Sequence, residues 1–149
     1  MAKRILVPLD LNPESESVLP AVADLARGAD ATVRLLHVAP VAGAVEDAEG
    51  RIVVYSNQET ARLEAEATDY LEAAARWAGM KVETVVRFGK PGDEIVKEAE
   101  TYGADLIVLA ARPRGPFTRF VLGSTSEHVC HRTGVPVMIY RSGSHGRAG

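Results

Sequence analysis

Two apolar runs, Ile5-Leu6-Val7 and Leu106-Ile107-Val108-Leu109, constrain this chain more than any other feature. Neither alternates with polar residues, so a strand built from either has no face to show to water. Such strands belong in a parallel sheet with helices packed on both sides. Three further strands are expected at Thr32–Val38, at the more alternating and hence more exposed Val82–Val86, and at Val135–Tyr140. The last begins Val-Pro-Val, and Pro136 is tolerable only near a strand start or on a sheet edge.

Helical spacing fills the intervals. Leu63, Ala67, Tyr70, Leu71, Ala74 and Ala78 form one stripe, and Ile95, Ala99 and Tyr102 form another before Gly103, which supplies a helix stop. The first helix is expected from the mid-teens to Arg27, with Val18, Val22 and Leu25 facing inward and Gly28 at its end. Pro20 then falls in the first turn or marks a kink. Ser124-Thr125-Ser126-Glu127 has the spacing of a capping box, which starts the last helix at Ser124. The resulting alternation of strands and helices is that of a single-domain, doubly wound α/β fold: a five-stranded, mostly parallel sheet with helices on both faces. The domain is expected over residues 1–141, with 142–149 a flexible polar tail. The connection Pro40–Asn57, which holds Ile52-Val53-Val54-Tyr55, reads equally as a lid, a partner contact or a short extra strand.

Composition removes several classes of function. A net charge of -3 over 149 residues argues against a general nucleic-acid binder. No apolar run reaches the ~18 residues that span a bilayer, and the apolar start is too short for a signal-peptide core. The single cysteine, Cys130, cannot form an internal disulfide and suits a reducing cytoplasm.

In a doubly wound sheet, ligands bind at the carboxyl ends of the strands, where the winding reverses. Asp10 ends the first strand; it reads as a ligand contact or, with Asn12, as a cap on the next helix. Val38, at the end of the second, reads as ligand contact or as core. Ser124 and Thr125 open a helix, whose free amides and dipole favour an anion, although Ser124 alone could be a cap. Arg112, Arg114, Arg119 and Arg132 make this region basic, which favours an anionic ligand or an acidic partner over a plain solvated loop. His128, Cys130 and His131 lack a carboxylate or further cysteine to complete a metal site, so no metal is expected. No catalytic constellation can be read from spacing.

Four segments now stand in order: Ile5-Leu6-Val7-Pro8-Leu9-Asp10, Leu35-Leu36-His37-Val38, Gly103-Ala104-Asp105-Leu106-Ile107-Val108 and Val135-Pro136-Val137-Met138. In sequence and spacing they resemble the universal stress protein family, from roughly Lys3 to Arg141. The resemblance implies an adenine nucleotide alpha hydrolase-like sheet of strand order 3-2-1-4-5, and a homodimer formed through the last strand. It also implies a stress-response regulatory role with an unknown protein partner. The implied ligand is ATP or a related adenine nucleotide, with Mg only alongside ATP. Pro8, Asp10 and Val38 would flank the base and ribose, and Leu109, Ala110, Arg112, Arg114, Gly123, Ser124 and Thr125 would lie along the phosphates.

The family's nucleotide-binding members look like Gly, two residues, Gly, nine residues, Gly-Ser/Thr. Here those positions read Ala110, Pro113 and Gly123-Ser124. Alanine adds a methyl group, whereas Pro113 removes an amide donor; each hydrogen bond lost to a charged phosphate is worth about 1.5–3 kcal/mol. Arginines nearby could replace part of that loss. Gly143-Ser144-His145-Gly146 repeats the letters of the loop, but no spacer or helix follows it. Three readings stay open: an adenine-nucleotide module with a degenerate phosphate loop, a dimeric docking protein that binds no nucleotide, and a weak adenine-nucleotide hydrolase. The third is the least favoured, since the related hydrolases look like Ser-Gly-Gly-x-Asp-Ser after the first strand, where this chain has Asp10-Leu11-Asn12-Pro13.

Overall fold

The fold is described from a computed structural model, which covers residues 3–11, 15–40, 45–46, 48–50, 52–53, 57–114 and 119–141. In chain order the elements are β1 (Arg4–Pro8), a 3₁₀ turn (Ser15–Val18), α1 (Leu19–Ala29), β2 (Thr32–Ala39), β3 (Val45–Glu46) and β4 (Ile52–Val53). They continue with α2 (Asn57–Trp77), β5 (Glu83–Phe88), α3 (Pro91–Tyr102), β6 (Leu106–Arg114), β7 (Arg119–Val121), α4 (Ser124–Arg132) and β8 (Val137–Arg141). The main sheet runs β5-β2-β1-β6-β8 with every pair parallel, which is the expected 3-2-1-4-5 order.

The continuous apolar runs explain the layering. In β1, Ile5 and Val7 point to one core, with α1 and α2, and Leu6 to the other, with α3 and α4. In β6, Val108 joins the first core while Ile107 and Leu109 join the second. Leu6, Val7, Ile107 and Val108 are each 0% exposed, so both faces of the central strands are sealed. β5, on the edge, has no fully buried residue, in keeping with its alternating sequence.

Several boundaries differ from expectation. Pro20 does fall in the first turn of α1, because the separate 3₁₀ turn precedes it. Gly28 does not end that helix; Asp30 does, in the left-handed conformation at φ 51°. Leu25 faces outward, since the buried stripe is Leu19, Val22 and Ala23. The last strand begins at Val137 rather than Val135, leaving Pro136 outside it to accept a hydrogen bond from the Ile107 amide at 2.9 Å. The 40–57 connection holds the short antiparallel pair β3–β4, matching its extra-strand reading. The tail at 142–149 lies outside the described residues.

The largest departure follows the fourth expected strand. The segment read as a loop from Ala110 onward continues as β6 to Arg114 and folds back antiparallel on β7. The register pairs Arg112 with Val121, Pro113 with Phe120 and Arg114 with Arg119.

Beneath α3 lies a charge cluster that joins three elements. Glu98, only 3% exposed, accepts from Arg34 Nη1 at 3.1 Å and from Arg87 Nε at 3.0 Å. Arg34 also donates to Glu83 at 2.8 Å, and Arg87 to Glu94 at 3.0 Å. The Arg34 guanidinium lies 4.0 Å from the centre of the Tyr102 ring, a cation–π contact. Burial opposes charge on both arginines, but Glu83 and Glu98 around Arg34, and Glu98 and Glu94 around Arg87, outweigh it and raise both pKa values. Glu98→Ala would leave two partly buried arginines with one carboxylate partner each, Glu83 for Arg34 and Glu94 for Arg87. It is expected to cost about 3–5 kcal/mol in urea unfolding, with Glu98→Gln costing less because one acceptor remains. Equal stability of Glu98→Ala and the parent chain would contradict the anchoring role.

Candidate functional site

The winding reverses between β1 and β6, and a cleft of about 480 Å³ opens there at the carboxyl ends of the strands. Each wall follows from a nearby element. Pro8, Leu9 and Asp10 leave β1, and Leu36 and Val38 come from β2. Leu109, Ala110 and Ala111 come from β6, and Gly123, Ser124, Thr125 and Ser126 open α4. Ser15 and Ser17 of the 3₁₀ turn, and Pro91 and Ile95 of α3, complete it.

The cleft thus gathers Pro8, Asp10, Val38, Leu109, Ala110, Gly123, Ser124 and Thr125 of the residues singled out by sequence. Arg112 and Arg114 belong by backbone to the arm that pairs with β7, and their side chains lie outside the described residues. The sequence reading missed Leu9, Ser15, Ser17, Leu36, Pro91, Ile95, Ala111 and Ser126. Their signal was topological: the segments that follow the first and third strands also leave from the carboxyl end of a parallel sheet.

At the apolar end, Val38 is half-buried and packs against the second core, so it is at once core and cleft wall. The first strand's exit is fixed by backbone bonds. The Leu9 amide donates to Leu36 O at 2.8 Å, and Ser15 Oγ donates to Asp10 O at 2.6 Å. His37 Nδ1 lies 3.0 Å from Leu9 O, which puts the proton on Nδ1 because the carbonyl can only accept. Tyr70 of α2 belongs to the same neighbourhood. Its hydroxyl pKa is pushed up to about 12, first by burial, then by its hydrogen bond to Glu16 and by the Glu16 and Asp10 charges, with Ser15 acting the opposite way.

At the other end, α4 departs from the expected capping box. Its N-cap is Gly123, in extended geometry at φ -67° and ψ 165°, and no side chain caps the helix. Ser124 is the first helical residue instead of the cap, because the glycine before it takes the non-helical conformation. The first amides of a helix have no acceptor within it. The amide of Glu127 begins the regular bonding, to Gly123 O at 2.9 Å, so the turn Ser124–Ser126 presents amides and the positive end of the helix dipole at the cleft.

The position of α4 depends on α3. Gly92 is so close to α4 that a Cβ there would lie 2.6 Å from His128 Cδ2. His128 Nε2 lies 2.7 Å from Asp93 Oδ1, so this histidine is engaged across the helix pair. Among the described residues, no group of three or more His, Cys, Asp or Glu comes together to hold a metal.

Two outcomes follow from this geometry. Gly92→Ala should push α4 off α3, costing about 1–3 kcal/mol in thermal or urea unfolding; an unchanged midpoint would contradict the close contact. Because the folded Tyr70 pKa lies above the ordinary 10, its contribution to stability is complete below pH 10 and is lost as pH rises through about 12. The ultraviolet phenolate titration of the folded protein, minus that of Tyr70→Phe, should therefore show a step centred near 12 and not near 10.

Residues 1–141 match the model of the universal stress protein family. Universal stress protein MJ0531 of Methanocaldococcus jannaschii is 30% identical over 143 residues, covering 93% of this chain and 82% of that one. The solved structure of MJ0577, from the same organism, superposes with a TM-score of 0.72 at 29% identity, covering 96% of this chain and 98% of that one. A universal stress protein from Archaeoglobus fulgidus, solved in complex with dAMP, has the same fold, with a TM-score of 0.63 at 22% identity and coverage of 92% and 96%. Fold, strand order and family match agree, and this chain belongs to the universal stress protein family.

Proposed function

We propose that the cleft binds an adenine nucleotide and that the protein acts as a nucleotide-responsive regulatory module of the stress response. The observation that carries this reading is the pairing, in one cleft, of an apolar end at Leu36 and Val38 with an uncapped helix start at Ser124–Ser126. A planar base suits the first and a phosphate the second. Asp10, on the rim at the end of β1, would accept from the ribose or the base. The dAMP complex of a relative with this fold supports a ligand of that chemistry. Mg would enter only with a polyphosphate ligand, and no catalytic step is proposed.

Calorimetry on the full chain tests the reading. Adenine nucleotides should bind in preference to guanine nucleotides, and Asp10→Ala should weaken binding about ten- to hundredfold, the loss of one charged hydrogen bond. Absence of binding by any adenine nucleotide would refute it and leave the docking reading, which the conversion of the expected phosphate loop into a β-arm favours; an Asp10→Ala variant with full affinity would refute the contact given to Asp10.

A homodimer through β8 belongs to the same proposal. Among the described residues β8 pairs only with β6, leaving its other edge open, and Ile139 is 37% exposed. An open apolar edge invites a second copy. Light scattering should give twice the chain mass for the parent and the single mass for Ile139→Lys. The cytoplasm is the proposed compartment, where the exposed thiol of Cys130 would stay reduced. Among the described residues no helix is long and apolar enough to cross a membrane.

A further inference from the structure

We infer that Tyr70 of α2 is a positioning residue for the cleft: its hydroxyl holds the Glu16 carboxylate out, so an anionic ligand meets hydroxyls on the 3₁₀ turn and no second acid beside Asp10. This rests on the reading of the cleft as an adenine-nucleotide site and adds a residue that the cleft wall itself does not contain.

The turn Ser15–Val18 sets the problem. Its side chains leave in different directions, because a 3₁₀ helix rotates about 120° per residue. Val18 joins the first core, and Ser15 and Ser17 line the cleft. Glu16, half-buried between the two serines, is not part of that lining. A free glutamate here would have the cleft on both sides of it. Tyr70 supplies the restraint. It packs against the first core, the cluster that holds Leu71 and Ala74 of the same helix, so its hydroxyl is carried on a fixed element. That hydroxyl hydrogen-bonds Glu16 and meets Ser15 as well, while Ser15 Oγ donates to Asp10 O at 2.6 Å. α2 is thereby tied to the turn and, through Ser15, to the end of β1. Burial, the Glu16 bond and the Glu16 and Asp10 charges push the phenol pKa up to about 12, so at neutral pH Tyr70 is the donor and Glu16 the acceptor. Asp10 already places one carboxylate at the cleft. A second, swung in from Glu16, would oppose a phosphate by Coulomb repulsion.

The test is calorimetry on the full-length chain with uncharged adenosine and anionic AMP as probes. Tyr70→Phe keeps the ring and removes the hydroxyl, and thermal melting verifies that the variant is folded at the temperature of titration. It should bind AMP about threefold more weakly than the parent chain, the size expected of one unit charge about 10 Å away in a partly solvated cleft. Adenosine should bind as it does to the parent. Glu16→Gln added to Tyr70→Phe should restore AMP binding, and raising the salt to about 1 M should narrow the loss by screening. An equal loss of adenosine and AMP would make Tyr70 a plain scaffold residue and overturn the inference. So would a loss that Glu16→Gln leaves in place, or an AMP affinity that Tyr70→Phe does not change; binding by the parent would then leave the adenine-nucleotide reading standing. A parent chain that binds neither adenosine nor AMP would overturn both this inference and the reading beneath it.

Discussion

The structure depends on one constraint: its two central strands are apolar on both sides. Leu6 and Ile107 must be covered from one direction, Val7 and Val108 from the other. A chain that wound only one way would cover only one face. It must therefore lay α1 and α2 on one side, cross back, and lay α3 and α4 on the other. The crevice between β1 and β6 is a geometric result of that reversal, because neighbouring connections depart in opposite directions there. Burial of leucine and valine thus determines where a ligand could sit, before any polar residue takes part.

Electrostatics then sets the position of the walls. α3 is anchored by a glutamate shared between two arginines on adjacent strands and by a ring stacked under one of them. Its amino end supplies Pro91 and Ile95 to the cleft, and Gly92 lets α4 approach closely enough to bring its own amino end there. A chain of contacts therefore runs from a buried charge cluster to the first turn of α4. The cluster is costly to desolvate, and its directional hydrogen bonds tie α3 to β2 and β5.

How much of this was legible in the sequence follows from the range of each interaction. The central strands and the stop at Gly103 are written in short apolar runs and single residues whose effects are local, whereas the strand order came from the family resemblance of four spaced segments. Asp10 and Val38 were placed at the cleft because they end strands of a parallel sheet, and Pro8 through the family resemblance. Glu98 was not found: among Glu94 and Lys97 it reads as a solvated helix residue, and its partner Arg34 lies 64 positions away. The β6–β7 arm was hidden for the opposite reason. Ala-Arg-Pro-Arg-Gly carries the local chemistry of a loop, and only pairing with Arg119–Val121, itself a distant choice, turns it into strand. The capping-box pattern gave the helix start at Ser124 but not its cap, because Gly123 takes the extended conformation before it.

The arm beside the cleft also bears on how binding is reached. A glycine-rich turn would be ordered at the moment of capture, and the lost freedom would be subtracted from the affinity. Here the backbone from Ala111 to Arg114 is already spoken for by its neighbours. An arriving molecule meets a preset edge and pays no ordering penalty along that side. Recognition on such an edge, in the proposed function, would work by fit and exclusion, with little remodelling of the protein around its guest.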